Sequence, residues 1–285
     1  MLTRIKHAFV KDTEFIKRLK RRHYAFWKDP ARQELDHPIL DSSYPLKIWK
    51  EGENWQRRLS NKFNAKEFAK KYNCKVVDLY WKVRNVREID FESLPPHYVI
   101  KPTIGHGSRQ MWLMSNGVNL FDNRAWRKDE ILDAMESITV ENQKLEFLIE
   151  EFVRTPEGRY EIPLDYKFFM FNGSVACIEV IERKSPGKGT KVFYDEDWNE
   201  LKTINYSSLK SGQGRPRPGC FEEMLEKAKE LSRLYEIFVR IDFYASDKGA
   251  IFGEITPTPS LGALYSAYGS DLLVSYWDRY CAGRI

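Results

Sequence analysis

The segment VRIDFYASDKGAIFGEITP, residues 239–257, constrains the fold more than any other part of the chain. Two runs rich in β-branched and aromatic residues flank a short turn, which is the pattern of a β-hairpin. Gly249 is the turn residue that takes a left-handed conformation without steric penalty. A three-residue loop, Asp247-Lys248-Gly249, with glycine in that position is a common connection. It pairs Ser246 with Ala250, and counting outward places Asp242 opposite Glu254 and Arg240 opposite Thr256. A two-residue loop would put Asp242 and Glu254 on opposite faces, because side chains alternate along a strand.

Like charges directly opposite each other are unfavourable by up to about 1 kcal/mol. A cation between them is therefore expected. Magnesium fits, since it takes one or two carboxylates together with phosphate oxygens. Arg240, two residues along the same face, is placed to meet the remaining negative charge. The alternative is a pair of exposed carboxylates that splay into water.

The rest of the chain reads as mixed helix and strand. Asn64-Ala65-Lys66-Glu67 has the form of a capping box opening a short helix. Strands are expected over 75–81, 95–102, 109–114 and 146–153, and amphipathic helices over 127–138 and 220–235. Asn172-Gly173 between apolar runs signals a second hairpin, since both turn positions need positive φ. Antiparallel hairpins mixed with helices argue for an α+β architecture rather than a doubly wound parallel sheet. Residues 1–58 read as a basic, mostly helical lobe, with Phe15, Ile16, Leu19 and Phe26 at helical spacing. Residues 59–285 form the larger unit.

Composition sets outer bounds. With 285 residues, 42% hydrophobic and 31% charged, the chain has the make-up of a globular protein with a real core. No apolar run approaches the ~18 residues of a membrane span. The start, MLTRIKHAFVKD, has no apolar h-region, so cytoplasmic residence is the expectation. Cys74, Cys177, Cys220 and Cys281 form no CxxC pair and suit neither a disulfide framework nor a zinc site. No Ser-His-Asp or Cys-His signature of covalent catalysis is present. The net charge of +5 is uneven, with a dense basic run at 17–28. That run is read first as a solvated helix face.

Four blocks occur in order between about residue 60 and residue 271: LPPHYVIKPTIGHGS, IEEFV, DYKFFMFNG and VRIDFY…GEITPTPSLG. Together they resemble the ATP-grasp superfamily, and most closely its TupA-like branch, named for teichuronopeptide biosynthesis. The resemblance implies two α+β lobes clasping ATP, a nucleotide lobe of about 95–153 and a metal and catalytic lobe of about 154–285. It implies that Lys62 and Lys101 contact phosphate, and that Gly105-His106-Gly107-Ser108 covers the phosphates. Glu150, Glu151 and Val153 belong to the hinge strand, whose main chain around Glu151 and Val153 would read the adenine edge. Glu157 or Asp165 would hold the ribose. Lys167, Arg183 and Arg240 would act on the transferring phosphate and the acyl-phosphate, and Asp242, Glu254 and Thr256 would hold Mg2+. Pro259-Ser260 stands at the family's turn around the acceptor.

Each position also has a plainer reading. A strand lysine is usually solvated, a GxG loop is usually a turn, and Phe168 to Phe171 suit core packing. Three departures stand out: Arg109 replaces a common loop glycine, Thr256 a common metal-binding Asn, and Asn61 a frequent Asp. The region before residue 60 is also shorter than the family's usual leading domain.

The chemistry implied is Mg-ATP-dependent carboxylate–amine ligation through an acyl-phosphate. The branch implies a glycan, uronic-acid or amino-acid substrate of cell-surface polysaccharide biosynthesis, small or glycan-like and anionic. A kinase of the same fold acting on a hydroxyl is the alternative. A basic nucleic-acid-binding protein, stacking bases on Tyr24 and Trp27, is a second alternative. Nucleic acid is not the expected partner, because the basic run lies outside the four blocks and no nucleic-acid-binding signature occurs.

Overall fold

The computed structural model describes residues 12–27, 39–105, 110–141, 145–261 and 264–285. Helix α1 (Glu14–Trp27) buries Phe15, Ile16, Leu19 and Phe26, the four residues at helical spacing. Phe15 meets Phe238, Tyr265 and Trp277 edge-on. The one-turn helix α2 (Leu46–Trp49) and helix α3 (Lys62–Lys71) follow. Asn61 opens α3, accepting from the backbone N–H of Phe63 and Asn64. The capping box expected at Asn64 is not formed, and the helix cap lies three residues earlier, at Asn61. Asn64 is instead a buried tie, donating to the Arg58 carbonyl and accepting from the Leu40 N–H.

The first sheet contains β1 (Leu79–Val83), β2 (His97–Pro102), β3 (Trp112–Ser115), β4 (Val118–Asn119), β5 (Arg124–Ala125) and β6 (Phe147–Glu151). Its order is β1-β6-β2-β3-β4-β5, all antiparallel. The strand expected over 75–81 starts later, at Leu79. Helix α4 (Lys128–Glu141) covers one face, packing Ile131 and Met135 on Ile100, Trp112, Met114 and Ile149. By alternation Val99, Lys101, Leu113 and Glu150 point to the other face.

The second sheet contains β7 (Asp165–Phe171), β8 (Ser174–Ser185), β9 (Lys188–Tyr194) and β10 (Glu200–Leu201). After β11 (Asn205–Tyr206), β12 (Lys210–Ser211) and helix α5 (Phe221–Tyr235), it is completed by β13 (Phe238–Ser246) and β14 (Gly249–Thr256). The order is β10-β9-β8-β7-β13-β14, with β12 the one parallel neighbour among the described strands. Strand β15 (Leu264–Tyr265) pairs with β11, and helix α6 (Ala267–Tyr280) ends the fold. The α+β class follows from this antiparallel layout. At the β7–β8 turn Asn172 and Gly173 have φ of 48° and 92°, as the dipeptide requires.

Period-two alternation splits the strand DYKFFMF between two cores. Phe168 and Met170 join α3 and α5 on one face. Phe169 and Phe171 join α1 and α6 on the other. Trp49, Trp55 and Leu59 share the first of these cores with Phe68 and Tyr235. The chain on both sides of residue 58 thus contributes to one core. Beyond the apolar half covered by α1 and α6, the second face turns polar and lines a cleft. No helix among the described residues is long and apolar enough to cross a membrane.

Candidate active site

Strands β13 and β14 turn through two residues, Asp247 and Lys248, and Ser246 pairs with Gly249. The three-residue loop expected from the sequence is not formed. Asp242 nonetheless lies opposite Glu254, and Arg240 opposite Thr256. Phe243 pairs with Phe252, so Gly253 is an extra residue on β14, a β-bulge. One extra residue reverses the faces of everything beyond it. It restores the pairing that a two-residue turn alone would have destroyed. A Cβ at position 253 would sit 3.0 Å from the Asp242 carbonyl oxygen and 3.0 Å from the Tyr244 ring, so glycine suits the bulge.

One rung across four strands now carries Glu254, Asp242, Lys167 and Glu179. Lys167 Nζ donates to Asp242 Oδ2 and lies 3.5 Å from Asp165 Oδ2. Arg240 Nε donates to Asp242 Oδ1 at 2.7 Å. Its Nη2 donates to Asp242 Oδ2 at 2.7 Å, Glu254 Oε1 at 3.0 Å and Thr256 Oγ1 at 3.0 Å. A cation does lie between the opposed carboxylates, and it is this guanidinium. Burial pushes the Asp242 carboxyl up, against the pull of Arg240 and Lys167. Burial also works to raise Glu254, but Lys62, Lys167 and Arg240 outweigh it and hold that carboxyl down to about 2.

Among the described residues, no three His, Cys, Asp or Glu side chains converge as a metal cluster. The donor set around Arg240 Nη2 is still the right kind for magnesium. It is two carboxylate oxygens and a hydroxyl, all hard oxygen donors meeting at one cationic atom. Two carboxylates are also the number that magnesium takes when phosphates supply further ligands.

A second cluster forms where α3 meets the first sheet. Glu150 is 1% exposed. Lys101 Nζ is 2.8 Å from its Oε2, and Lys66 Nζ donates to its Oε1. Burial opposes the Glu150 charge, but Lys101 and Lys66 prevail and keep its pKa below the ordinary value. Lys62 Nζ donates to the Gly105 carbonyl at 3.0 Å. Burial lowers the Lys62 pKa, with Glu254 acting in the opposite direction.

Between the clusters lies a solvent-open cleft of about 670 Å³. Val99, Leu113, Phe121, Phe152 and Phe252 are among its apolar lining, and Lys66, Lys101, Glu150, Asp165, Arg183 and Tyr244 among its polar lining. Arg183 Nη2 lies 3.3 Å from Asp165 Oδ2. Seven basic side chains (Lys62, Lys66, Lys101, Lys167, Arg183, Arg240, Lys248) meet five carboxylates (Glu150, Glu151, Asp165, Asp242, Glu254) in and beside this cleft. The surplus of positive charge favours an anionic ligand.

Of the site residues expected from sequence, Lys101, Glu150, Glu151, Val153, Asp165 and Arg183 line the cleft. Lys167, Arg240, Asp242, Glu254 and Thr256 form the linked cluster beside it. Glu151 pairs with Lys248. Glu157 is exposed beside Arg159, whereas Asp165 is buried at the cleft wall. His106, Gly107 and Ser108 lie outside the described residues, as does Arg109. Lys66 and Tyr244 also line the cleft, beyond the site residues expected from the sequence. Each had a signal: Lys66 is four positions after Lys62 on one helix, and Tyr244 is two after Asp242 on one strand. In the basic run, Lys17, Arg18 and Lys20 pair with Glu14, Asp278 and Asp12, and Arg22 is fully buried. Tyr24 is exposed, while Trp27 packs near Phe26 and the Arg57 guanidinium.

A family model described as TupA-like ATPgrasp matches residues 45–273. Among curated proteins none matches the chain in sequence. Solved structures share the fold. The D-alanine-D-alanine ligase of Helicobacter pylori superposes with a TM-score of 0.50 at 19% identity, over 78% of this chain and 61% of that one. The D-alanine–D-alanine ligase of Bacillus anthracis gives 0.51 at 13% identity, over 79% and 69%. The VanG D-Ala:D-Ser ligase of Enterococcus faecalis gives 0.50 at 16%, over 79% and 63%. The chain thus spans about 61% to 69% of the length of these ligases.

Proposed function

The chain belongs to the TupA-like ATP-grasp family, and on that premise we propose that it is a magnesium- and ATP-dependent carboxylate–amine ligase. The observation that carries this reading is the Asp242–Glu254 pair bridged by Arg240, with Lys167 on the same rung, beside a cleft rich in lysine and arginine. Residues of the nucleotide lobe, about 95–153, would hold ATP, and those of about 154–285 the metal and the reacting groups. Magnesium held by Asp242 and Glu254, with Thr256 as a further oxygen, would neutralise and orient the polyphosphate.

The residues of this chain would act by position and charge. Val99, Leu113 and Phe252 would enclose the base. Lys62 and Lys101 would face the phosphates, and Lys167 the transferring phosphoryl group. A substrate carboxylate oxygen attacks the γ-phosphorus, the bond to the β,γ-bridging oxygen breaks, and ADP leaves. Arg240 and Arg183 would stabilise the charge on the resulting acyl-phosphate. An amine then attacks the acyl carbon, phosphate departs, and the amine proton passes to solvent. Every step uses orientation and electrostatics, with no covalent enzyme intermediate. The TupA-like branch favours an anionic substrate of cell-surface polysaccharide biosynthesis, a uronic acid or amino acid.

Hydroxylamine trapping tests the reading. A panel of uronic and amino acids, incubated with Mg-ATP and hydroxylamine, should yield a hydroxamate together with ADP. ADP release with a stable phosphate ester and no hydroxamate would show a kinase instead. No nucleotide turnover with any acceptor, under conditions where ATP is bound, would count against both.

A further inference from the structure

Glu150 has both carboxylate oxygens taken by lysines, Oε2 by Lys101 of β2 and Oε1 by Lys66 of α3. All three side chains line the cleft. Lys66 is 7% exposed and Glu150 1%. A buried lysine and a partly buried one thus share one buried carboxylate, which leaves a largely desolvated positive charge without its own partner. Such an arrangement is costly unless one lysine loses its proton or an anion arrives. The groups facing Lys66 are Glu150 from β6 and Lys101 from β2, with Lys62 one turn away on its own helix. Beyond them Glu254 of β14 acts on Lys101 and Lys62.

We propose that Lys66 is a positioning residue of the nucleotide cleft, and that it takes up a proton from solvent as the nucleotide binds. This rests on the reading of the cleft as an ATP site. Burial lowers Lys66 to about 7; Glu150 acts to raise it and Lys101 to lower it further. A polyphosphate would add negative charge and draw Lys101 away from Glu150. Both changes favour the ammonium form of Lys66. Glu150, no longer shared, would then be held by Lys66 alone. The step balances simply: the neutral amine of Lys66 gains one proton, and the buffer loses it. Linkage requires that affinity fall as pH rises above about 7, by up to about tenfold per pH unit.

Calorimetric titration with a non-hydrolysable ATP analogue and magnesium tests this at pH 7.5. Buffers of different ionisation enthalpy report the protons exchanged. With Lys66 near 7, about three-quarters of it is neutral at this pH, so the wild-type protein should show net uptake of up to about three-quarters of a proton. Lys66→Arg carries the charge in both the free and the bound state and does not titrate near pH 7, and it should bind while showing no uptake. Equal buffer dependence in wild type and Lys66→Arg, or none in wild type, would overturn the proton uptake while leaving the nucleotide site standing. No binding by wild type would overturn the nucleotide site and this inference together.

Discussion

Asp242 and Glu254 face each other across β13 and β14 because Gly253 stands out of the ladder between Phe252 and Glu254. The two-residue turn alone would set them on opposite faces. The bulge therefore decides whether the two carboxylates meet, and Gly253→Val tests it. Its Cβ would press to 3.0 Å on the Asp242 carbonyl and on the Tyr244 ring. We expect a stability loss of about 1–3 kcal/mol from overpacking. ATP turnover should fall further than that loss explains. Turnover at the wild-type level in the folded variant would show that the bulge does not govern the site.

Arg240 spans Asp242, Glu254 and Thr256 with a planar fork. A lysine carries the charge but not that geometry. Arg240→Lys should fold and should lower kcat on the order of 100-fold, as the loss of a preorganised electrostatic contact does. Steady-state kinetics, with circular dichroism as a check on folding, would measure this.

The Glu254 carboxyl is held at about 2 in the folded protein, against 4.5 for the free group. A depressed carboxyl contributes stability that is fully present above the unfolded value. That contribution is lost as pH falls through the folded value. The stability difference between wild type and Glu254→Gln should thus be constant above pH 5 and shrink between about 4.5 and 2. Urea unfolding across that range reads it. A difference that instead changed between pH 6 and 8 would show that this carboxyl is not depressed.

Phe15 of α1 is fully buried against Phe238, Tyr265 and Trp277. Phe15→Ala should cost about 3–5 kcal/mol, in line with other large-to-small core changes. It should shift one cooperative unfolding transition of the whole chain. A separate early transition for the N-terminal segment would mean that residues 1–58 fold as their own lobe.

Much of this fold was legible from local pattern. The Asn172-Gly173 turn, the amphipathic helices and the alternation through DYKFFMF depend on residues a few positions apart, and they stand where the pattern put them. The facing of Asp242 and Glu254 was also readable, though the turn count reached it by the wrong route. A compensating bulge leaves no signal in a turn motif. It is selected by the close approach of a partner strand's carbonyl and a tyrosine ring to Gly253.

The sequence by itself determined the strand and helix periods, the antiparallel hairpins and the residue types that mark the family, because each is written in short-range spacing. Only tertiary structure decided what those residues do to one another. Lys66 and Glu150 lie 84 positions apart, and a helix had to be docked on a sheet before one carboxylate could be shared by two lysines. The basic helix α1 became part of the core in the same way, by burying Phe15 and Arg22 against strands more than 200 residues away. At the site, desolvation and charge act through space between distant segments. The two carboxylates and the hairpin that carries them are thus features of the sequence, whereas their opposition, through the bulged register and the cations that hold them, is a feature of the fold.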